Sequence, residues 1–89
     1  MRAKNTSAVY SAWLNGQRAH SGNVSTDGRG LWSYDLLIGS SHPTGALVAD
    51  YTAAGEWRGA TTSKHVNAAA RAAGVLKLPP EEFRKMIGD

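Results

Sequence analysis

The chain predicts an α+β fold: an antiparallel meander of four to five strands packed by one helix, with a short C-terminal helix. Three observations lead there. Eight of the ten Gly residues, several in Asn-Gly, Asp-Gly and Gly-Arg-Gly clusters, cut the first two thirds into segments of strand length. After Thr61 the apolar spacing becomes helical, with Val66, Ala69, Ala70 and Ala73 on one side of a wheel turning about 100° per residue. Finally, Pro79-Pro80 is followed by Glu81-Glu82 and then Arg84-Lys85, the charge order that a helix dipole favours.

At 89 residues there is room for one domain, 1–89. A hydrophobic share of 42 % against 19 % charged residues places it among globular rather than disordered chains. Within that domain, residues 1–6 read as a flexible arm, 7–62 as β-sheet, 63–74 as a helix and 79–88 as the C-terminal helix.

The elements follow in order. Ser7 to Leu14 is β-compatible, with Val9 and Trp13 on one face and Tyr10 and Leu14 on the other. Asn15-Gly16 then supplies a hairpin signal, because both residues tolerate the positive φ of a type I′ turn. Gln17 to Ser25 returns as a polar edge strand, and Thr26 to Gly30 is a turn. Leu31 to Ile38 is the clearest strand, and its alternation puts Trp32, Tyr34, Leu36 and Ile38 in the core. Gly39 to Gly45 is read as a loop, Ala46 to Thr52 as a strand, and Ala53 to Gly55 as a turn. A short strand follows from Glu56 to Thr61, with Trp57 inward or at the rim. Thr62 or Ser63 then caps the helix, which stops at Gly74. Phe83, Met86 and Ile87 form the apolar stripe of the last helix.

Charge narrows the partner class. The formal net charge is +3 with a pI near 9.6. Residues 1–77 carry eight Lys/Arg against four acids, a net +4, whereas residues 78–89 carry two against three, a net −1. The body of the domain therefore favours anionic partners, nucleic acid or a nucleoprotein among them.

Other chemistries leave little trace. There is no cysteine, which removes disulfides and thiolate metal sites. His20, His42 and His65 lie far apart in sequence with no short ligand pair, so no metal or cofactor is expected. No Gly-x-Ser-x-Gly elbow and no phosphate-loop ending occur, and the acids are scattered, so the chain reads as a non-enzyme. Nothing approaches the length of a membrane span, and no apolar core follows Met1-Arg2-Ala3-Lys4. The expectation is a cytoplasmic protein without membrane contact.

Aromatic and basic residues interleave: Trp13 with Arg18, Arg29 with Trp32 and Tyr34, Trp57 with Arg58. Such pairs suit single-stranded nucleic acid or protein interfaces. On the predicted helix, Lys64, Asn67 and Arg71 cluster opposite the alanine side. This Ser-Lys-initiated, Ala-rich segment, Thr61 to Arg71, locally resembles the last part of a double-stranded RNA-binding domain.

A wider resemblance rests on Trp13-x-Asn15-Gly16, Ser25-Thr26-Asp27-Gly28, Leu31-Trp32-Ser33-Tyr34, Ile38-Gly39, Asp50-Tyr51-Thr52-Ala53 and Thr61-Thr62-Ser63-Lys64-His65-Val66. Over roughly residues 9–73 the chain is similar to small uncharacterised proteins encoded by bacteriophages and prophages. That resemblance implies a binding protein in a bacterial host, in the class of anti-CRISPR-like inhibitors of nucleic-acid-handling complexes. The alternative is a small basic DNA- or RNA-binding regulator; an enzyme or small-ligand-binding protein ranks below it. The expected contact residues are Arg29, Trp57, Arg58, Lys64, His65 and Arg71. The polar edge strand also offers a route to a homodimer.

Overall fold

Consecutive strands pair antiparallel into one five-stranded sheet of order β1-β2-β3-β4-β5, as seen in a computed structural model that describes residues 4–88. The strands are β1 (Arg18–Ser21), β2 (Val24–Asp27), β3 (Gly30–Ser33), β4 (Leu36–His42) and β5 (Gly45–Val48). Three helices accompany them: α1 (Thr6–Leu14), α2 (Ala60–Ala73) and α3 (Pro80–Met86). The meander and the short C-terminal helix agree with the sequence-based fold class.

The largest departure is at the N-terminus, where residues 7–14 form α1 rather than a strand. Asn5 caps it, its side-chain oxygen accepting from the Ala8 N–H at 3.0 Å. The predicted arm over 1–6 thus ends in a cap and the first helical residue, while residues 1–3 lie outside the described residues. Val9, Tyr10 and Trp13 share one buried side, a helical spacing that strand alternation had split between two faces. The Asn15-Gly16 pair closes the helix instead of turning a hairpin. Gly16 takes φ 71°, and the N–H of Gln17 reaches back to the Ala12 carbonyl at 2.8 Å. The same left-handed tolerance serves a helix stop and a hairpin, and the local sequence does not choose between them.

Trp13 is the centrepiece of the core. It is fully buried, and its indole N–H donates to the Arg29 carbonyl at 2.9 Å. Gly39 of β4 makes room for it: a Cβ there would stand 2.9 Å from the Trp13 ring. Leu31, Val48 and Val66 are also fully buried in this layer, where α1 and α2 lie together against the sheet. Two helices, not one, cover that face.

Of the expected inward set, Ile38 is fully buried and Leu36 packs half-buried against the core, but Trp32 and Tyr34 do not take core positions. Leu31 and Ser33 are fully buried, Trp32 is half-buried, and Tyr34 is 52 % exposed. Leu31 to Ile38 is two strands, because the chain reverses at Tyr34-Asp35 and a register shift at Leu31/Trp32 breaks the alternation. The predicted loop over Gly39 to Gly45 is mostly strand: β4 runs to His42 before turning into β5. The predicted strand over Glu56 to Thr61 does not form; the segment is irregular and Ala60 already belongs to α2. That helix starts after Gly59, so Thr62 and Ser63 sit inside its first turn rather than capping it.

Beyond β5, Ala49 makes a parallel bridge with Leu78, the Asp50 N–H donating to the Leu78 carbonyl at 2.7 Å. This strap covers part of the β5 edge and leads into α3, whose Phe83 is buried. Ile87, just past α3, borders a cleft with Trp32 and Leu37, so the C-terminal segment reaches the face of the sheet away from α1 and α2. The other edge, β1, pairs only with β2; the single edge strand predicted over Gln17 to Ser25 is instead a hairpin that reverses at Gly22-Asn23, and the predicted turn over Thr26 to Gly30 narrows to Gly28-Arg29.

Candidate functional site

Ser33 ends β3 on the buried side, and its hydroxyl lies between two residues of α2. Its Oγ is 3.1 Å from Thr62 Oγ1 and 2.7 Å from His65 Nδ1. Thr62 and His65, three residues apart, share one side of the first helical turns, so both reach the same serine. One O–H from Ser33 and one from Thr62 satisfy all three groups when His65 Nδ1 accepts. Burial holds the His65 imidazole below its ordinary value of 6.5. With Ser33 Oγ enclosed, this serine–histidine pair acts as a tie between the sheet and α2.

The next residue is the conformational outlier of the chain. Tyr34 has φ 54°, the sole positive φ among the described non-glycine residues. A bulky side chain in that region is strained by about 1–3 kcal/mol. The two-residue turn into β4 requires it, and the Tyr34 N–H is held by the Asn23 carbonyl at 2.7 Å. The ring stands beside His65, centroids 6.4 Å apart and planes tilted by 43°. The strain thus sets an aromatic side chain out at the rim of the domain.

Arg58 faces Tyr34 across a shallow cleft of about 400 Å³, lined also by Ser33, Asp35, Leu36 and Thr62. Two contacts fix the guanidinium. Its Nη2 meets Glu56 Oε1 at 2.6 Å, and its Cζ lies 5.5 Å from the centre of the buried Tyr51 ring. The Tyr51 hydroxyl in turn accepts from Arg84 Nη1 at 3.3 Å. Trp57 precedes Arg58 on the same irregular segment and is 56 % exposed. Of the two expected positions, inward or at the rim, the inward one is excluded.

The six expected contact residues do not converge on one site. Arg58 lines the cleft and His65 stands behind it against Ser33 and Tyr34, while Trp57 is the exposed chain neighbour of Arg58. Lys64 projects from α2 next to His65 and is exposed. Arg29 sits in the turn at the other end of β3, about 16 Å along the strand from Tyr34 at 3.3 Å per residue. There Asp27 organises the backbone, accepting from the N–H groups of Arg29 at 2.9 Å and Gly30 at 2.8 Å. Those bonds hold the Asp27 carboxyl below its ordinary 3.8. Arg71 lies six residues beyond His65, about 9 Å along the helix axis. Sequence reading missed Tyr34, Asp35 and Thr62 as site residues. The two-residue turn that exposes Tyr34 carries no glycine or asparagine to announce it.

No protein-family model, no curated protein and no solved structure matches the chain. Among the described residues, no group of three or more His, Asp or Glu side chains is placed to hold a metal ion. No helix among them is long and apolar enough to cross a membrane.

Proposed function

We propose that the protein is a non-enzymatic binding protein whose docking site is the rim formed by Tyr34, Trp57 and Arg58, acting as a phage-encoded, anti-CRISPR-like inhibitor of a nucleic-acid-handling complex in a bacterial host. The observation that carries this reading is a strained, exposed tyrosine beside an arginine held in place before any partner arrives. Tyr, Trp and Arg are the residues that dominate protein interfaces, and a fixed arginine loses little freedom on binding. The phage-like sequence pattern supplies the biological class.

Charge at the rim favours a protein partner over a phosphate backbone. Asp35 lines the cleft and Glu56 pairs with Arg58, so the two acids offset the guanidinium there. A phosphate chain approaching this cleft meets carboxylates as well as the guanidinium. Direct nucleic-acid binding as a small regulator is therefore weaker at this site.

The test is phage challenge of bacteria carrying CRISPR immunity, with and without expression of the protein. Binding is then measured to the purified effector complex from each host whose immunity is affected. The expected result is restored plaquing, with Trp57→Ala and Arg58→Ala each weakening complex binding about 30-fold, the loss typical of an interface anchor. Immunity unaffected across the host panel, or binding indifferent to both substitutions, overturns the proposal.

A further inference from the structure

The outward side of α2 differs in kind from the cleft. Lys64 and Arg71 are seven residues apart, which places them on the same side, about 10 Å from one another along the axis. Asn67 lies between them. Lys77, beyond the helix, folds back so that its Nζ donates to Asn67 Oδ1 at 2.7 Å. Three positive charges thus stand along two turns of one helix.

Among the described residues, Lys64 and Arg71 have no acid beside them on either helix, whereas Lys77 also borders a cleft that Asp50, Glu56 and Glu81 line. Neither α1 nor α2 contains an acidic residue, and residues 57–80 contain none. Among the described residues, no carboxylate lines the groove between α1 and α2, where Ser7, Ser11, Ala68 and Arg71 meet. None lines the adjoining basin bounded by Asn67, Arg71 and Lys77. At about 10 Å, near the screening length at physiological salt, Lys64 and Arg71 repel only weakly, and together they attract anions from solution. The Asn67 contact fixes Lys77 in the row instead of letting it swing away.

The surface around the row defines the anion. The groove offers hydroxyls from Ser7 and Ser11 and the small side chains of Ala68 and Ala72, which permit close approach by a backbone. It presents no exposed aromatic ring on which unpaired bases would stack. It also has no ridge of large apolar side chains to enter a lipid surface. Leu76, 90 % exposed, stands past Gly74 at the far side of the basin. We propose that the α1–α2 face binds the phosphate backbone of a nucleic-acid duplex without sequence preference, through Lys64, Arg71 and Lys77. This site is separate from the Tyr34–Arg58 rim and stands whether or not that rim docks a protein.

Fluorescence anisotropy of a labelled 20-base-pair DNA duplex, and of the corresponding RNA duplex, titrated with the intact protein at 50 mM salt, tests it. Saturable binding to at least one duplex is expected. Three phosphate contacts on DNA predict a slope of log K against log salt of about −2.7. The double reversal Lys64→Glu/Arg71→Glu lowers affinity at least tenfold, and Lys77→Ala flattens the slope by about one unit. Trp57→Ala leaves duplex binding unchanged, which separates this result from the fate of the cleft proposal. Circular dichroism and the thermal midpoint confirm folding, and the milder pair Lys64→Gln/Arg71→Gln replaces the reversal if that variant unfolds.

Several outcomes overturn the proposal. These are no complex with either duplex, affinity unchanged by the folded charge variants, or tighter binding to a single strand than to a duplex. Binding to phosphatidylserine vesicles but to neither duplex assigns the row to a lipid surface instead. Loss of duplex binding in Leu76→Ser places the contact at the apolar tip and not at the phosphate-facing row.

Discussion

The Tyr34–Arg58 cleft and the outer side of α2 are both bordered by cations, yet the cations are held in opposite ways. Arg58 is paired with Glu56 and laid over Tyr51, so its charge is largely answered within the chain. Lys64 and Arg71 have no acid beside them on α1 or α2, and Lys77, bonded to the Asn67 amide, is the member of the row that also borders a cleft lined by Asp50, Glu56 and Glu81. The comparison shows that a net charge of +3 does not describe a uniformly basic surface. An answered, immobilised charge contributes shape and directional bonding, and its effect persists as salt rises. An unanswered row contributes long-range attraction, which salt screens over about 8–10 Å.

The most severe way to break the comparison is to remove what both regions stand on. Trp13 fills the space under Gly39 and ties α1 to the β2–β3 turn through the Arg29 carbonyl. Trp13→Ala is expected to cost about 3–5 kcal/mol, a large share of the stability of so small a domain. Urea unfolding would show the midpoint collapse, and both binding activities should disappear together. A near-wild-type midpoint would mean that α1 is not an integral layer.

A smaller perturbation should separate the two regions. Ser33→Ala removes the hydroxyl between Thr62 and His65 and is expected to cost about 1–3 kcal/mol. It loosens the cleft wall while leaving Lys64 and Arg71 on the outside of the helix. Partner docking should suffer and duplex binding should not. The same tie has a pH signature. Because burial lowers the folded-state pKa of His65 below 6.5, the unfolded chain takes up that proton first as pH falls. The stability it contributes is complete above 6.5 and declines as pH drops from there toward the folded value. Thermal midpoints measured from pH 7.5 to 5 should fall, and His65→Asn should flatten that fall. Asp27 acts in a separate, more acidic window, because its lowered pKa gives stability lost only below 3.8.

The smallest expected effect on stability is the sharpest on function. Tyr34→Gly relieves a positive φ and is expected to change stability by no more than about 1 kcal/mol in either direction, since glycine also gains freedom in the unfolded chain. Docking at the cleft should nevertheless weaken by at least tenfold, while duplex binding on α2 stays constant. Equal docking by wild type and Tyr34→Gly would make the strained tyrosine a packing residue only.

Much of the architecture was legible in the chain. The turn cluster Thr26 to Gly30 marked the reversal between β2 and β3, the alanine period marked α2, and the order of acids and bases marked α3. The side of α2 carrying Lys64 and Arg71 followed from helical geometry. The N-terminus was harder, because Ser, Val, Tyr and Trp have weak helix preference and the capping Asn5 lies just before them. Its Asn15-Gly16 stop carries the same signature as a hairpin. Tyr34 was harder still. Its alternation with Trp32, Leu36 and Ile38 is genuine in sequence, but the chain reverses in the middle of it.

The sequence by itself determined the α+β class, the meander of strands, the two C-terminal helices and the basic character of the domain. Local periods, glycines and prolines act over a few residues, so these features are written in short windows. Only the tertiary structure decided that α1 is a helix buried on the sheet, and that Ser33 meets Thr62 and His65, 29 and 32 residues away. It also decided which cations are answered by acids and which stand alone. Charge compensation depends on distance in space, and no local pattern in this chain encodes it.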